Sequence, residues 1–161
     1  MDFKSNVLHI FLDLENCLVE SWDNPWRLNV NRGLPCELTV LKRLNRRIEF
    51  HLFSFAVCNE ADVATFRTFQ SNIEEAFNLK FSHIVTKDQV MTAVKAIRKI
   101  QVLDEFELSQ LFGKFDCFMD FVKFNKIENS ILFDDTVDDI RVTLQQNDKD
   151  WNFETVNVFF E

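Results

Sequence analysis

Five short apolar runs divide the chain, at residues 7–12, 48–53, 81–85, 131–133 and 156–160. The first, Val7-Leu8-His9-Ile10-Phe11-Leu12, is almost continuously apolar rather than alternating, as in a strand covered on both faces. Helical patterns lie between the runs. After Pro35, Leu38, Leu41 and Leu44 recur three apart, with Lys42, Arg43, Arg46 and Arg47 on the other side. From Ala61 onwards, Val63, Phe66, Phe69, Ile73 and Phe77 form one stripe. Asp88 can cap a helix whose stripe is Val90, Val94, Ile97 and Ile100. Segments 104–112 and 116–124 read as two short helices, and 137–145 as the last, with Asp138 and Asp139 in its first turn. Strands alternating with helices predict βαβ units, hence an α/β fold around a mostly parallel sheet of five strands. The longest stretch without a clear element is 20–34, which holds Trp22, Pro25, Trp26 and Gly33. No repeat, low-complexity tract or linker interrupts the pattern, so residues 1–161 read as one domain.

Composition narrows the function classes. Hydrophobic residues make up 47% and charged residues 27% of 161, which argues for a packed core and against disorder. The formal net charge of −8 opposes general binding to nucleic acid or an anionic membrane. Nineteen Phe and no Tyr mean that most aromatic surface lacks a hydroxyl and belongs in a core or a buried interface. The Phe-rich stretch 106–124 is read as core, with a hydrophobic lid or dimer surface as the alternative. With two Gly, at 33 and 113, no Gly-rich phosphate loop can be written. Cys17, Cys36, Cys58 and Cys117 form no CxxC pair and no Cys/His zinc spacing, which points to reduced thiols in a cytoplasmic protein. Three of them read as buried small hydrophobes. Cys17 is the exception, because its loop is expected to face the site. His9, His51 and His83 lie in apolar strands without a motif partner and read as structural.

In an open parallel sheet, ligands bind outside the carboxyl ends of the strands. The first run is followed by Asp13-Leu14-Glu15-Asn16-Cys17, the second by Ser54, the third by Thr86-Lys87-Asp88, and the fourth by Asp134-Asp135. Carboxylates gathered on one rim repel, and a hard divalent cation such as Mg²⁺ relieves that repulsion while holding substrate phosphate. A Ser and a Lys on the same rim suit phosphate oxygens, so the rim suits phosphoryl transfer.

These residues resemble, in order along nearly the whole chain, the motifs of the haloacid dehalogenase superfamily, mostly Mg²⁺-dependent phosphatases on a Rossmann-like three-layer sheet. HIFLDLENCLV is similar to its first motif, HLFSF to its second, IVTKD to its third and SILFDDTVDD to its fourth. The resemblance implies Asp13 as nucleophile, Glu15 as acid/base, Ser54 and Lys87 on the phosphate, and Mg²⁺ held by Asp13 with Asp134 or Asp135. It also implies hydrolysis of a phosphomonoester through an aspartyl-phosphate. Lys114, Lys123 and Lys126 are alternatives to Lys87. The sequence departs from the family where Glu15 stands for the usual Asp, Asn16 for a common Gly and Cys17 for Thr or Val.

With little room for a cap, the expected substrate is a phosphorylated macromolecule, a phosphoprotein or small phosphoester being favoured over long nucleic acid. A different class of reading is a catalytically degenerate module that binds a protein partner. The small size and Asn/Lys/Phe-rich composition resemble early proteins of T-even phages that modulate host transcription. A metal-dependent nuclease using the same carboxylates is the third reading.

Overall fold

The computed structural model describes residues 1–21, 30–44, 46–146 and 148–159, without the side chains of 35–37, 105, 106, 109 and 146. Trp22, Pro25, Trp26, Phe160 and the Cys36 side chain therefore lie outside the description. The elements run β1 (Leu8–Leu12), α1 (Leu34–Lys42), β2 (Ile48–Phe53), α2 (Glu60–Phe77), β3 (Phe81–Val85), α3 (Lys87–Arg98), α4 (Glu105–Leu111), α5 (Lys114–Phe124), β4 (Asn129–Asp134), β5 (Ile140–Gln146) and β6 (Lys149–Asn157). One six-stranded sheet has the order β3-β2-β1-β4-β6-β5, parallel except for β5, which pairs antiparallel with β6 at the edge. No helix of the described residues is long and apolar enough to cross a membrane.

The sheet has six strands where five were expected, because residues 137–145 form no helix. Val137, Ile140 and Leu144 are spaced as a helical stripe, but Ile140, Val142 and Leu144 also alternate with period two. Pairing decides between the two readings: Val142 lies opposite Phe153 and Leu144 opposite Trp151 in the β5–β6 hairpin. Asp138 and Asp139 accordingly serve no helix start; the Asp138 carbonyl accepts from Thr155 Oγ1 and Asp139 Oδ1 accepts from the Asn157 N–H. The last strand begins at Lys149 rather than 156, and its polar first residues hid it.

Each face of the sheet carries its own apolar layer. Leu8, Ile10 and Leu12 point to one side with Leu52 and Phe133, against Leu34 and Leu38 of α1 and Phe66, Ile73 and Phe77 of α2. Phe11, Phe53 and Val85 point to the other, against Val90 and Val94 of α3 and Phe118 and Phe121 of α5. The alternation along β1 is hidden in the sequence because both faces are covered. Helix starts follow local chemistry. Asn59 caps α2 through the Asp62 N–H, and Thr86, not Asp88, caps α3 in a reciprocal box with Gln89. Lys42 of α1 donates to the carbonyls of Phe77 and Asn78 at the end of α2. In the Phe-rich stretch 106–124, α5 packs with α3 against the sheet, and Phe118 and Phe121 are core.

One ion pair fastens α5 to α3: Arg98 Nε donates to Asp120 Oδ2 at 2.6 Å, and Asp120 is 5% exposed. The guanidinium also lies 4.7 Å from the Phe112 ring centroid. Arg98→Met leaves the Asp120 carboxylate buried without its donor. Since Arg98 is itself 37% exposed, the expected loss is about 1–2 kcal/mol. An unchanged urea midpoint in Arg98→Met would show that this pair does not hold α5.

Candidate active site

The strand order reverses between β1 and β4: β2 and β3 lie on one side of β1, while β4, β6 and β5 lie on the other. Crevices at such a point open at the carboxyl ends of the strands. The ladder pairs Leu12 with Phe133, and the Asp13 N–H continues it by donating to the Phe133 carbonyl at 3.0 Å. Asp13 and Asp134, each one residue further on, are thus held side by side.

The loop after Asp13 is fixed from below. Leu14, Cys17, Leu18 and Val19 are fully buried, and the N–H groups of Leu18 and Val19 both donate to the Leu14 carbonyl. This leaves Glu15 and Asn16 on the outside of a tight turn. Asn16 takes φ 57°, the left-handed conformation that Asn tolerates better than most residues, so the position does without Gly. Cys17 does not face the cavity. It is buried, its Sγ–H donates to the Phe133 carbonyl at 3.5 Å, and burial together with Asp13 and Asp134 pushes its thiol well above the usual range. Cys117 is also buried, while Cys58 is half-buried and donates to the Phe55 carbonyl.

Asp134 is 0% exposed. Its Oδ1 accepts from the Thr136 N–H at 2.7 Å and the Thr136 hydroxyl at 2.6 Å, which turns Oδ2 towards Asp13 and Lys114. Lys114, the first residue of α5, places Nζ 3.4 Å from Asp13 Oδ1 and 3.0 Å from Asp134 Oδ2. Among the lysines that the sequence left open, Lys114 therefore forms the ion pairs to both carboxylates. Lys87 begins α3 with Nζ 5.4 Å from the Phe55 ring centroid, and Lys114 lies 4.4 Å from the same centroid. The sequence offers Lys114 only as an alternative to Lys87, because its place at the rim arises from the docking of α5. Ser54 is buried at the end of β2, and its Oγ accepts from the Ala56 N–H. Asp13, Glu15, Ser54, Lys114 and Asp135 line one open cavity of about 360 Å³.

A larger groove of about 610 Å³ lies against Leu41, Ile131 and Val156 on the α1 side. It is mostly apolar and contains none of the rim carboxylates, so chemistry rather than size selects the smaller cavity.

Burial pushes Asp13 up to about 7; the Lys114 cation opposes that rise and the Asp134 charge adds to it. Burial also works against ionised Asp134, but Lys114 and the two Thr136 hydrogen bonds outweigh it and hold the carboxyl below its ordinary value. The same two carboxylates outweigh burial at Lys114 and keep it charged. Oxygens of Asp13, Asp134 and Asp135 lie within 4.8 Å of one another. Asp134 Oδ2, fully buried, makes no well-directed hydrogen bond even with the ammonium beside it. Hard oxygen ligands at this spacing, one of them an under-used carboxylate oxygen, fit a Mg²⁺-sized cation.

Comparison of the chain with protein-family models, curated proteins and solved structures gives no match. The chemistry of the rim is therefore argued from its residues.

Folded Asp13 keeps its proton to about 7, against 3.8 for an ordinary aspartate, so the folded state binds the extra proton in that window. Stability is consequently lost as pH rises through it. Without divalent cations, Asp13→Asn is expected to be more stable than wild type at pH 8 by roughly 3–4 kcal/mol, on the order of 10 °C in Tm, with the gap closing towards pH 4. A gap independent of pH would show that Asp13 ionises without cost.

Proposed function

We propose that the protein is a Mg²⁺-dependent phosphatase of the haloacid dehalogenase type, hydrolysing phosphomonoesters through an aspartyl-phosphate on Asp13. The observation that carries this reading is the meeting of Asp13, Asp134 and Lys114 at the reversal of strand order, with Glu15, Ser54 and Asp135 on the same cavity. Two adjacent carboxylates and a half-buried ammonium form a site for a dianion that needs both a nucleophile and charge compensation.

Asp13 in its ionised form attacks phosphorus, forming a carboxyl–phosphate bond as the bond to the ester oxygen breaks. Glu15 gives its proton to the departing oxygen, then takes one from the water that attacks the phosphoryl group and frees Asp13. Lys114 lies against Asp13 Oδ1, where equatorial phosphoryl oxygens gather negative charge. It thus takes the part that the motif resemblance assigned to Lys87. Ser54 supplies a hydroxyl at the cavity floor. Held by Asp13, Asp134 and Asp135, Mg²⁺ would neutralise the charge that these carboxylates and the phosphate bring together.

The cavity favours a phosphate presented by a larger body. It is open, and Phe112 and Gly113 at the α4–α5 junction form one wall. An open site leaves the rest of a substrate outside the cavity, which suits a phosphate carried by a protein. The net charge of −8 disfavours long nucleic acid.

Beryllofluoride mimics a phosphoryl group on a carboxylate, so it tests the site without knowledge of the substrate. With Mg²⁺ and beryllofluoride, wild-type Tm is expected to rise and that of Asp13→Asn to stay unchanged. Equal behaviour of the two proteins would sink the acyl-phosphate mechanism and favour a protein-binding role. With p-nitrophenyl phosphate, Lys114→Met is expected to lower kcat by about 100-fold, and Lys87→Met by much less. The reverse order would return the phosphate-neutralising role to Lys87.

A further inference from the structure

A second constellation lies on the same sheet, about 13 Å from Asp13 if each strand residue advances ~3.3 Å. His9, His51 and His83 come from three adjacent strands and turn to the α5 side of the sheet, and His51 lies directly opposite His83 in the β2–β3 ladder. His9 and His51 are 1% and 0% exposed. Phe3 of the N-terminal segment covers all three rings, with centroids 5.4, 5.1 and 4.6 Å away.

The nitrogens converge in a specific way. His9 Nδ1 and His51 Nε2 face each other at 2.8 Å, and Glu49 Oε2 stands 3.8 Å from His9 Nδ1. The three side chains offer ligand atoms that all lie within 4.8 Å of one another. The outer nitrogen of each imidazole is already engaged. His9 Nε2–H donates to the Lys4 carbonyl at 2.8 Å, which leaves Nδ1 as the lone pair. His51 Nδ1 is 3.1 Å from His83 Nδ1, so a His51 Nδ1–H can donate a hydrogen bond to His83 Nδ1 and leave Nε2 as the second lone pair. Imidazoles that bind metals are held this way, one nitrogen on the ion and the other on a carbonyl or a further side chain.

We propose that His9 Nδ1, His51 Nε2 and Glu49 form a binding site for a divalent transition metal of the Zn²⁺ class, with His83 and the Lys4 carbonyl orienting the two imidazoles. Two nitrogens and one carboxylate suit Zn²⁺ and disfavour Mg²⁺, which separates this site from the carboxylate rim. Bonds of about 2.0–2.1 Å in a tetrahedron put ligand atoms about 3.3 Å apart, so the facing nitrogens need to part by only about half an ångström. The fourth position falls to water on the Glu49 side, where that side chain is 17% exposed and its partner Lys4, 3.4 Å away, is 65% exposed and free to swing out.

Equilibrium dialysis of the full chain with Zn²⁺ alone, and Co²⁺ absorption as a report of geometry, test the site. Wild type and Asp134→Asn are expected to bind one Zn²⁺ equally at this site, with a tetrahedral Co²⁺ spectrum. Glu49→Gln and His9→Gln are each expected to weaken binding at least tenfold, and His83→Gln by less. Should the buried His9→Gln fail to fold, Glu49→Gln, at a partly exposed position, decides. No Zn²⁺ uptake by wild type, or uptake that survives in Glu49→Gln, overturns the proposal and leaves the histidines as a hydrogen-bonded chain.

Discussion

Parallel pairing of β1 with β4 forces two carboxylates together, and much of the structure answers that constraint. The register that sets Leu12 beside Phe133 carries Asp13 and Asp134 to the same end of neighbouring strands. Both are nearly or fully buried, so their charges cannot be dispersed into water. Lys114 compensates one of them, and it is available only because α5 begins at the rim. The docking of α5 depends in turn on Phe118 and Phe121 below it and on Arg98 and Asp120 beside it. An acidic pair, a lysine and a helix position are thus one coupled arrangement. The compensation is incomplete: Asp13 remains pushed up to about 7, and a divalent cation on the same oxygens would complete it.

Phenylalanine makes the frame rigid enough for this. Phe11, Phe53, Phe118 and Phe121 pack edge to face under the rim, with ring centroids 5.4 to 5.9 Å apart. Rings without hydroxyls need no polar partner, so a layer of them can lie directly beneath a charged site. The shortage of Gly is met in a similar way. Asn6, Asn16, Asn78, Lys99, Lys126 and Asp148 take the positive φ values at turns and helix ends.

What was legible in the sequence followed from local periodicity and strand ends. The runs ending at Leu12 and Phe53, the stripe of α2 and the carboxylates at 13 and 134 are readable because neighbours along the chain suffice to define them. The edge strand β5 was not, because 137–145 satisfies both a helical and a strand period, and only pairing with β6 decides between them. Lys87 was the nearest lysine along the chain to a strand end, yet the ion pairs to Asp13 and Asp134 belong to Lys114, 101 residues from Asp13. The histidines looked like three separate core residues, since nothing in their sequence spacing shows that the strands align His51 with His83.

By itself, the sequence determined the α/β class, the largely parallel sheet and the acidic strand ends. These depend on hydrophobic period, on β-branched and aromatic runs, and on residue type at each boundary. Only the tertiary structure decided which cation meets the carboxylates, how many strands the sheet holds and where the imidazoles converge. Those outcomes come from strand order and helix docking, which bring together side chains far apart in sequence. The free energy that selects them comes from burial and charge compensation across the whole sheet.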